Sequence, residues 1–165
     1  MVIVYESKTG FTKRYAEMLA AKTGFKVYPV KDVSKVNRNE GIVFLGWMKV
    51  GKIQGLKKLR KYNVKAVCGS GTGRTAEPSP EVVIARNKLE GKQFYYLRGG
   101  CFPLNELKGM DKIMLSMFVK VLKNRGGKDD KTQESIAIIE NGFDGVEEIN
   151  LEPVYKWLNE NVTEG

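Results

Sequence analysis

Five short apolar runs alternate with stretches whose apolar residues recur at helical spacing, and this alternation constrains the fold more than any other feature. The runs are Val2-Ile3-Val4-Tyr5, residues 25–30 (Phe25, Val27, Tyr28, Val30), Ile42-Val43-Phe44-Leu45-Gly46, residues 64–68 ending at Cys68, and residues 94–97. The most apolar of them are nearly continuous, as expected of strands buried on both faces. Between the runs, Phe11, Tyr15, Met18 and Leu19 mark an amphipathic helix that stops near Gly24, and Ile53, Leu56 and Leu59 mark a short basic helix. Ser79-Pro80 opens another helix, with Val82, Ala85 and Leu89 as its apolar stripe. Met110, Ile113, Met114, Met117, Phe118, Val121 and Leu122 form a longer stripe, with packing on the sheet as its ordinary use. A charged, glycine-bearing connection at 125–131 follows, then a helix over 132–141 closed by Gly142, and a last helix from about Pro153 carrying Val154, Trp157 and Leu158.

Strands alternating with helices predict an α/β fold, a doubly wound five-stranded parallel sheet of order 2-1-3-4-5. With 165 residues and no repeat or linker, residues 1–165 read as a single domain. Ligands of such sheets bind beyond the C-terminal strand ends where strand order reverses. The loops after the first, third and fourth strands are therefore the candidate site.

The chain has no histidine, which excludes His-dependent triads and imidazole ligation, and two cysteines provide neither a disulfide framework nor a zinc site. No carboxylates stand at a metal-ligand or acid–base spacing, so no metal is expected. No apolar run approaches the ~20 residues of a membrane span. The segment MVIVYESKTG lacks a basic stretch ahead of its apolar run, so the cytoplasm is the expected compartment.

The net charge of +9 is uneven. Residues 1–125 carry 25 Lys and Arg against 9 Asp and Glu, whereas residues 126–165 carry 3 against 10. Between Glu40 and Glu77 there is no acidic residue but eight basic ones: Lys49, Lys52, Lys57, Lys58, Arg60, Lys61, Lys65 and Arg74. Two readings stand, a solvated lysine-rich face or a surface for an acidic partner or anionic substrate. Nucleic acid is not the expected partner, because no recognised binding motif or series of exposed aromatics accompanies the charge.

The first loop, Ser7-Lys8-Thr9-Gly10-Phe11-Thr12, joins a buried strand directly to a helix. Three hydroxyls and several backbone N–H groups meet there at the positive end of the helix dipole, an arrangement suited to a phosphate. It is neither a Walker A loop nor a G-x-G-x-x-G fingerprint. A plain polar turn capped by Thr9 or Gly10 is the alternative.

Ser7 to Thr12 matches the pattern [ST]-x-T-G-x-T, and on that motif and its element order the chain resembles the flavodoxin family. The resemblance is closest to the branch that includes menaquinone-dependent protoporphyrinogen dehydrogenase. Further stretches carrying it are residues 42–53, Tyr96-Leu97-Arg98-Gly99-Gly100, and Met110-Asp111-Lys112. The resemblance implies a flavodoxin-like fold and non-covalently bound FMN. Its phosphate would be held by the hydroxyls of Ser7, Thr9 and Thr12 and the amides of Lys8, Gly10, Phe11 and Thr12. The stretch Trp47, Met48, Lys49, Val50 and Gly51 would border the isoalloxazine ring, with Trp47 stacking on it. Ser70, Gly71, Thr72 and Gly73 would meet the opposite edge. Many flavodoxins place a second aromatic cover there, but residues 69–75 contain none, which leaves one face open or covered by Phe102. Flavodoxin carriers are acidic around the flavin, whereas here the basic tract occupies those loops. The expected function is electron transfer through FMN to or from an acidic redox partner protein or an anionic small molecule; a protoporphyrinogen- or quinone-type oxidoreductase is the alternative. Met110, Met114, Met117 and Phe118, flanked by Lys108, Lys112, Lys120 and Lys123, also suit peripheral contact with an anionic membrane. Cys68 ends the fourth run and Cys101 lies in the loop after the fifth; a redox pair between them, and Cys68 as a buried apolar filler, are both open.

Overall fold

The computed structural model describes residues 1–124 and 129–162; part of the 125–131 connection lies outside the described residues. The chain divides into two compact units, one of residues 1–99 with the segment from Val146 onward, the other of residues 100–145.

The first unit is α/β. Its strands are β1 (Val2–Glu6), β2 (Lys26–Pro29), β3 (Gly41–Lys49), β4 (Lys52–Ile53), β5 (Asn63–Gly71) and β6 (Gln93–Arg98). Five of them form a parallel sheet in the order β2-β1-β3-β5-β6. The expected 2-1-3-4-5 numbering is met only in part, because the two-residue β4 folds back antiparallel on the end of β3 and lies off this path. Helices α1 (Phe11–Thr23) and α2 (Pro80–Asn87) belong to this unit, with a further helix near its C-terminal end.

Both faces of the sheet are buried, and side chains alternate between them. Ile3, Val43, Leu45, Ala66, Cys68 and Leu97 pack with Tyr15, Ala16 and Leu19 of α1, whereas Val2, Val4, Ile42, Phe44 and Val67 pack with Val83 and Leu89 on the α2 side. This double burial is why the runs read as continuously apolar. Gly10 and Gly24, at φ 95° and 73°, bracket α1, and the Gly24 N–H donates to the Ala20 carbonyl.

Three local expectations fail. Ile53 is in β4, and the helix expected around it shrinks to one 3₁₀ turn at Leu56–Leu59, because Gly55 turns the chain at φ 83°. In α2 the buried residue is Val83; Val82 and Ala85 face solvent. Ser79 stands at the N-cap without a capping bond; its hydroxyl faces Glu81 instead and holds that carboxyl below its usual range.

The second unit holds β7 (Gly100–Cys101), α3 (Gly109–Asn124), α4 (Asp130–Asn141) and β8 (Phe143–Asp144), with β7 and β8 paired antiparallel. Asp129 caps α4 by accepting from the Thr132 N–H at 2.9 Å. The α3 stripe is not packed as expected: Met110 is 75% and Met117 63% exposed, with Ile113, Met114, Phe118 and Val121 also exposed, and its buried residue is Val119. The last helix, α5 (Glu152–Val162), returns to the first unit and buries Val154, Tyr155 and Leu158.

Candidate functional site

The parallel order reverses at β1, which has β2 on one side and β3 on the other. The loop leaving β1 there runs from Ser7 to Gly10 and enters α1 at Phe11. Ser7 Oγ accepts from the Gly10 N–H at 3.0 Å, a side-chain turn that shapes the loop and leaves the hydroxyl proton for an outside acceptor. Gly10 takes the left-handed conformation that this sharp entry requires, and a Cβ built on it would meet nothing within 4 Å. The first turn of α1 has no acidic residue and no side-chain cap on Gly10. Lys8 and Thr9 are exposed, while Phe11 and Thr12 are buried beneath them. The Ser7 and Thr9 hydroxyls, the N-terminus of α1 and Lys8 thus meet at one loop, and chemistry of this kind suits an anion.

Sheet register places Trp47 one residue beyond the Glu6–Gly46 pair, level with Ser70 of β5. Trp47 is half-buried and belongs to neither core cluster. Lys8 Nζ lies 5.7 Å from its ring centroid, so the tryptophan stands beside the first loop rather than in the core.

The other expected loop residues are placed differently. Trp47, Met48 and Lys49 continue β3, and only Val50 and Gly51 form the turn into β4. Both have positive φ, 48° and 73°, as a two-residue hairpin turn requires. For the β-branched Val50 this is a strained conformation at an exposed tip. Met48 packs with the α2-side core, and a Cβ on Gly69 would stand 2.7 Å from its Sδ. Ser70 and Gly71 continue β5. Ser70 is buried, with its Oγ 2.6 Å from where a Cβ on Gly99 would lie. Thr72 and Gly73 form the loop, anchored by the Tyr96 hydroxyl donating to the Gly73 carbonyl at 2.7 Å. Burial, then the charge of Glu77, pushes the Tyr96 phenol up to about 12.

Asn87, which the sequence did not mark, fastens the hairpin to α2. Its Oδ1 accepts from the Ile53 N–H at 2.9 Å and its Nδ2 donates to the Gly51 carbonyl at 2.7 Å. Arg86 Nη1 donates to the Val50 carbonyl at 2.8 Å. Beside these contacts a cleft of about 760 Å³ opens between the hairpin, the 3₁₀ turn and α2. None of its lining residues belongs to the loop after β1 or to the loop after β5. Lys52, Lys57, Lys58 and Arg60 of the basic tract line this cleft, joined by Arg86, Lys88 and Lys92 from beyond the tract.

Cys68 and Cys101 are both free thiols. Cys68 is fully buried in the sheet, and burial pushes its thiol up to about 12. Among the described residues no helix is long and apolar enough to cross a membrane.

A scan against protein-family models gives no match to the chain, and a search of curated proteins gives none either.

Proposed function

We propose that the chain is a flavodoxin-like redox protein that binds FMN non-covalently. Taking β4 as an appendage of β3, the five parallel strands run 2-1-3-4-5, the order of that fold. The observation that carries the reading is the conjunction at the switch point: an acid-free hydroxyl loop entering α1, with Trp47 beside it under Lys8.

The donor set fits a phosphate monoester. The hydroxyls of Ser7 and Thr9 would hold its oxygens, with the buried Thr12 beneath them; the amides of Lys8, Phe11 and Thr12 would serve it at the helix entrance, the Gly10 N–H being taken by Ser7 Oγ, and Lys8 would add charge. Trp47 offers an indole face to the ring, and the Val50–Gly51 turn and the Thr72–Gly73 loop border it. Met48 and Ser70 support these loops from within rather than touching the ring. Bound FMN supplies reversible one- or two-electron transfer, and the residues around it orient the ring and limit its exposure to water. Lys49 and Lys52, both exposed on the hairpin, add positive charge beside these loops, which favours an acidic redox partner or an anionic substrate.

A second reading, an oxidoreductase acting on a porphyrinogen or quinone, draws on α3. Its exposed methionine-rich face and the lysines around it suit an apolar substrate or an anionic lipid surface.

The test is the visible spectrum of protein purified without added flavin, followed by FMN titration of apoprotein. FMN at about one per chain, with affinity at least about tenfold lower in Thr9→Val, supports the proposal. A colourless protein that does not take up FMN overturns it. Turnover of protoporphyrinogen with a quinone separates the enzyme from the carrier.

A further inference from the structure

The cleft beside β4 exists because of what the β3-to-β5 crossover lacks. Parallel neighbours are usually joined by a helix that covers the sheet. Here the thirteen residues between Lys49 and Asn63 form a hairpin and a single 3₁₀ turn. They leave a groove of about 760 Å³ between themselves and α2. Its floor is apolar: Ile53, Leu59, Val64 and Leu89 are buried, and Leu56 and Tyr62 are half-buried. Its rim carries seven cations, Lys52, Lys57, Lys58, Arg60, Arg86, Lys88 and Lys92, and among the described residues no carboxylate lines it. None of the seven has an ion-pair partner among the described residues; Lys92 and Arg86 only donate to the carbonyls of Val64 and Val50.

Seven like charges around one concavity repel each other, and concave walls of low dielectric focus their field on whatever enters. We propose that this groove is a binding site for a multiply phosphorylated nucleotide, separate from the loop at Ser7. The rim takes the phosphates and the apolar floor takes the base. The volume lies within the ~300–1,000 Å³ of small-molecule sites. A single-stranded polymer is the weaker occupant, because such proteins use series of stacking aromatics, and Tyr62 is the one aromatic lining the groove. The inference does not depend on FMN binding.

The probes are ATP, inorganic tripolyphosphate and adenosine, titrated calorimetrically at physiological ionic strength with and without excess FMN. ATP should bind in both conditions, tripolyphosphate more weakly and adenosine not measurably. The triple variant Lys57→Gln, Lys58→Gln, Arg60→Gln should weaken ATP about tenfold or more. The triple variant Lys26→Gln, Lys31→Gln, Lys156→Gln removes equal charge from exposed positions elsewhere and should leave binding within about twofold. Amide shifts on ATP addition should fall on residues 52–62 and 86–92. Tripolyphosphate binding as tightly as ATP would overturn the proposal, since the base would then contribute nothing. Equal losses in the two triple variants, displacement of ATP by FMN, or binding of an oligonucleotide but not ATP each overturns it.

Discussion

Replacing Asn87 by Ala should destabilise the first unit and loosen the hairpin that forms one wall of the groove. The side chain reaches 34 and 36 residues back along the chain, meeting the Ile53 N–H at 2.9 Å and the Gly51 carbonyl at 2.7 Å. A third bond, to the Val83 carbonyl at 2.7 Å, orients the amide within α2. Ile53 and Gly51 are both buried, so truncation strands one donor and one acceptor. Each stranded group costs about 1–3 kcal/mol when water cannot reach it. The adjoining groove admits water, which places the pair near the lower half of that range, about 2–4 kcal/mol in total. Asn87→Asp keeps the acceptor for Ile53 but sets a carboxylate oxygen against the Gly51 and Val83 carbonyls, and should cost at least as much. Urea unfolding measures both, with unchanged m-values required for the comparison. Hydrogen exchange at the Ile53 amide supplies the local readout, and should accelerate in Asn87→Ala. A loss below about 0.5 kcal/mol with unchanged Ile53 exchange would refute the reasoning, since typical surface changes fall within that margin.

Gly99→Ala should cost about 1–3 kcal/mol, because the new methyl would lie 2.6 Å from Ser70 Oγ inside the sheet; adding Ser70→Gly should recover part of the loss in thermal unfolding. Tyr96 keeps its proton in the folded state up to about 12 against an ordinary value near 10, so its contribution to stability is complete below pH ~10 and is lost as pH rises toward 12; Tyr96→Phe should remove one late tyrosinate rise at 295 nm. Cys68 should resist alkylation at pH 8 in the native state, with Cys101 reacting first and Cys68 reacting only in denaturant, as mass spectrometry of the modified chains will show. The exposed face of α3 should carry the protein onto vesicles containing anionic lipid, and Met117→Glu with Phe118→Glu should release it in co-sedimentation.

How far the sequence reached depends on which interactions are local. The central strands β1, β3 and β5 were legible because two-sided burial writes itself as continuous apolar runs, and α1 because two glycines bracket a clear helical spacing. The Ser7–Thr12 loop was legible as a motif because strand, turn and helix follow one another without interruption. Val82 was mistaken for Val83 because an eight-residue helix offers too few turns to fix which side faces the sheet. The α3 stripe had the right period but the wrong destination: periodicity reports that one face is apolar, not that anything covers it.

The groove was the least legible feature, and the reason is physical. Ile53, Leu56 and Leu59 recur every three residues, which an amphipathic helix and a hairpin followed by a 3₁₀ turn satisfy equally. The difference rests on Gly55 at φ 83° and on the Val50–Gly51 turn, whose strained valine no propensity favours. Had a helix formed there, it would have covered the sheet and carried Lys57, Lys58 and Arg60 outward as an ordinary basic face. The hairpin instead turns them toward Arg86, Lys88 and Lys92, which lie about thirty residues further along the chain and meet them only through the parallel pairing of β3, β5 and β6. A basic tract in sequence thus becomes a basic concavity in space, and concavity is what separates a solvated lysine-rich face from a surface able to select an anion.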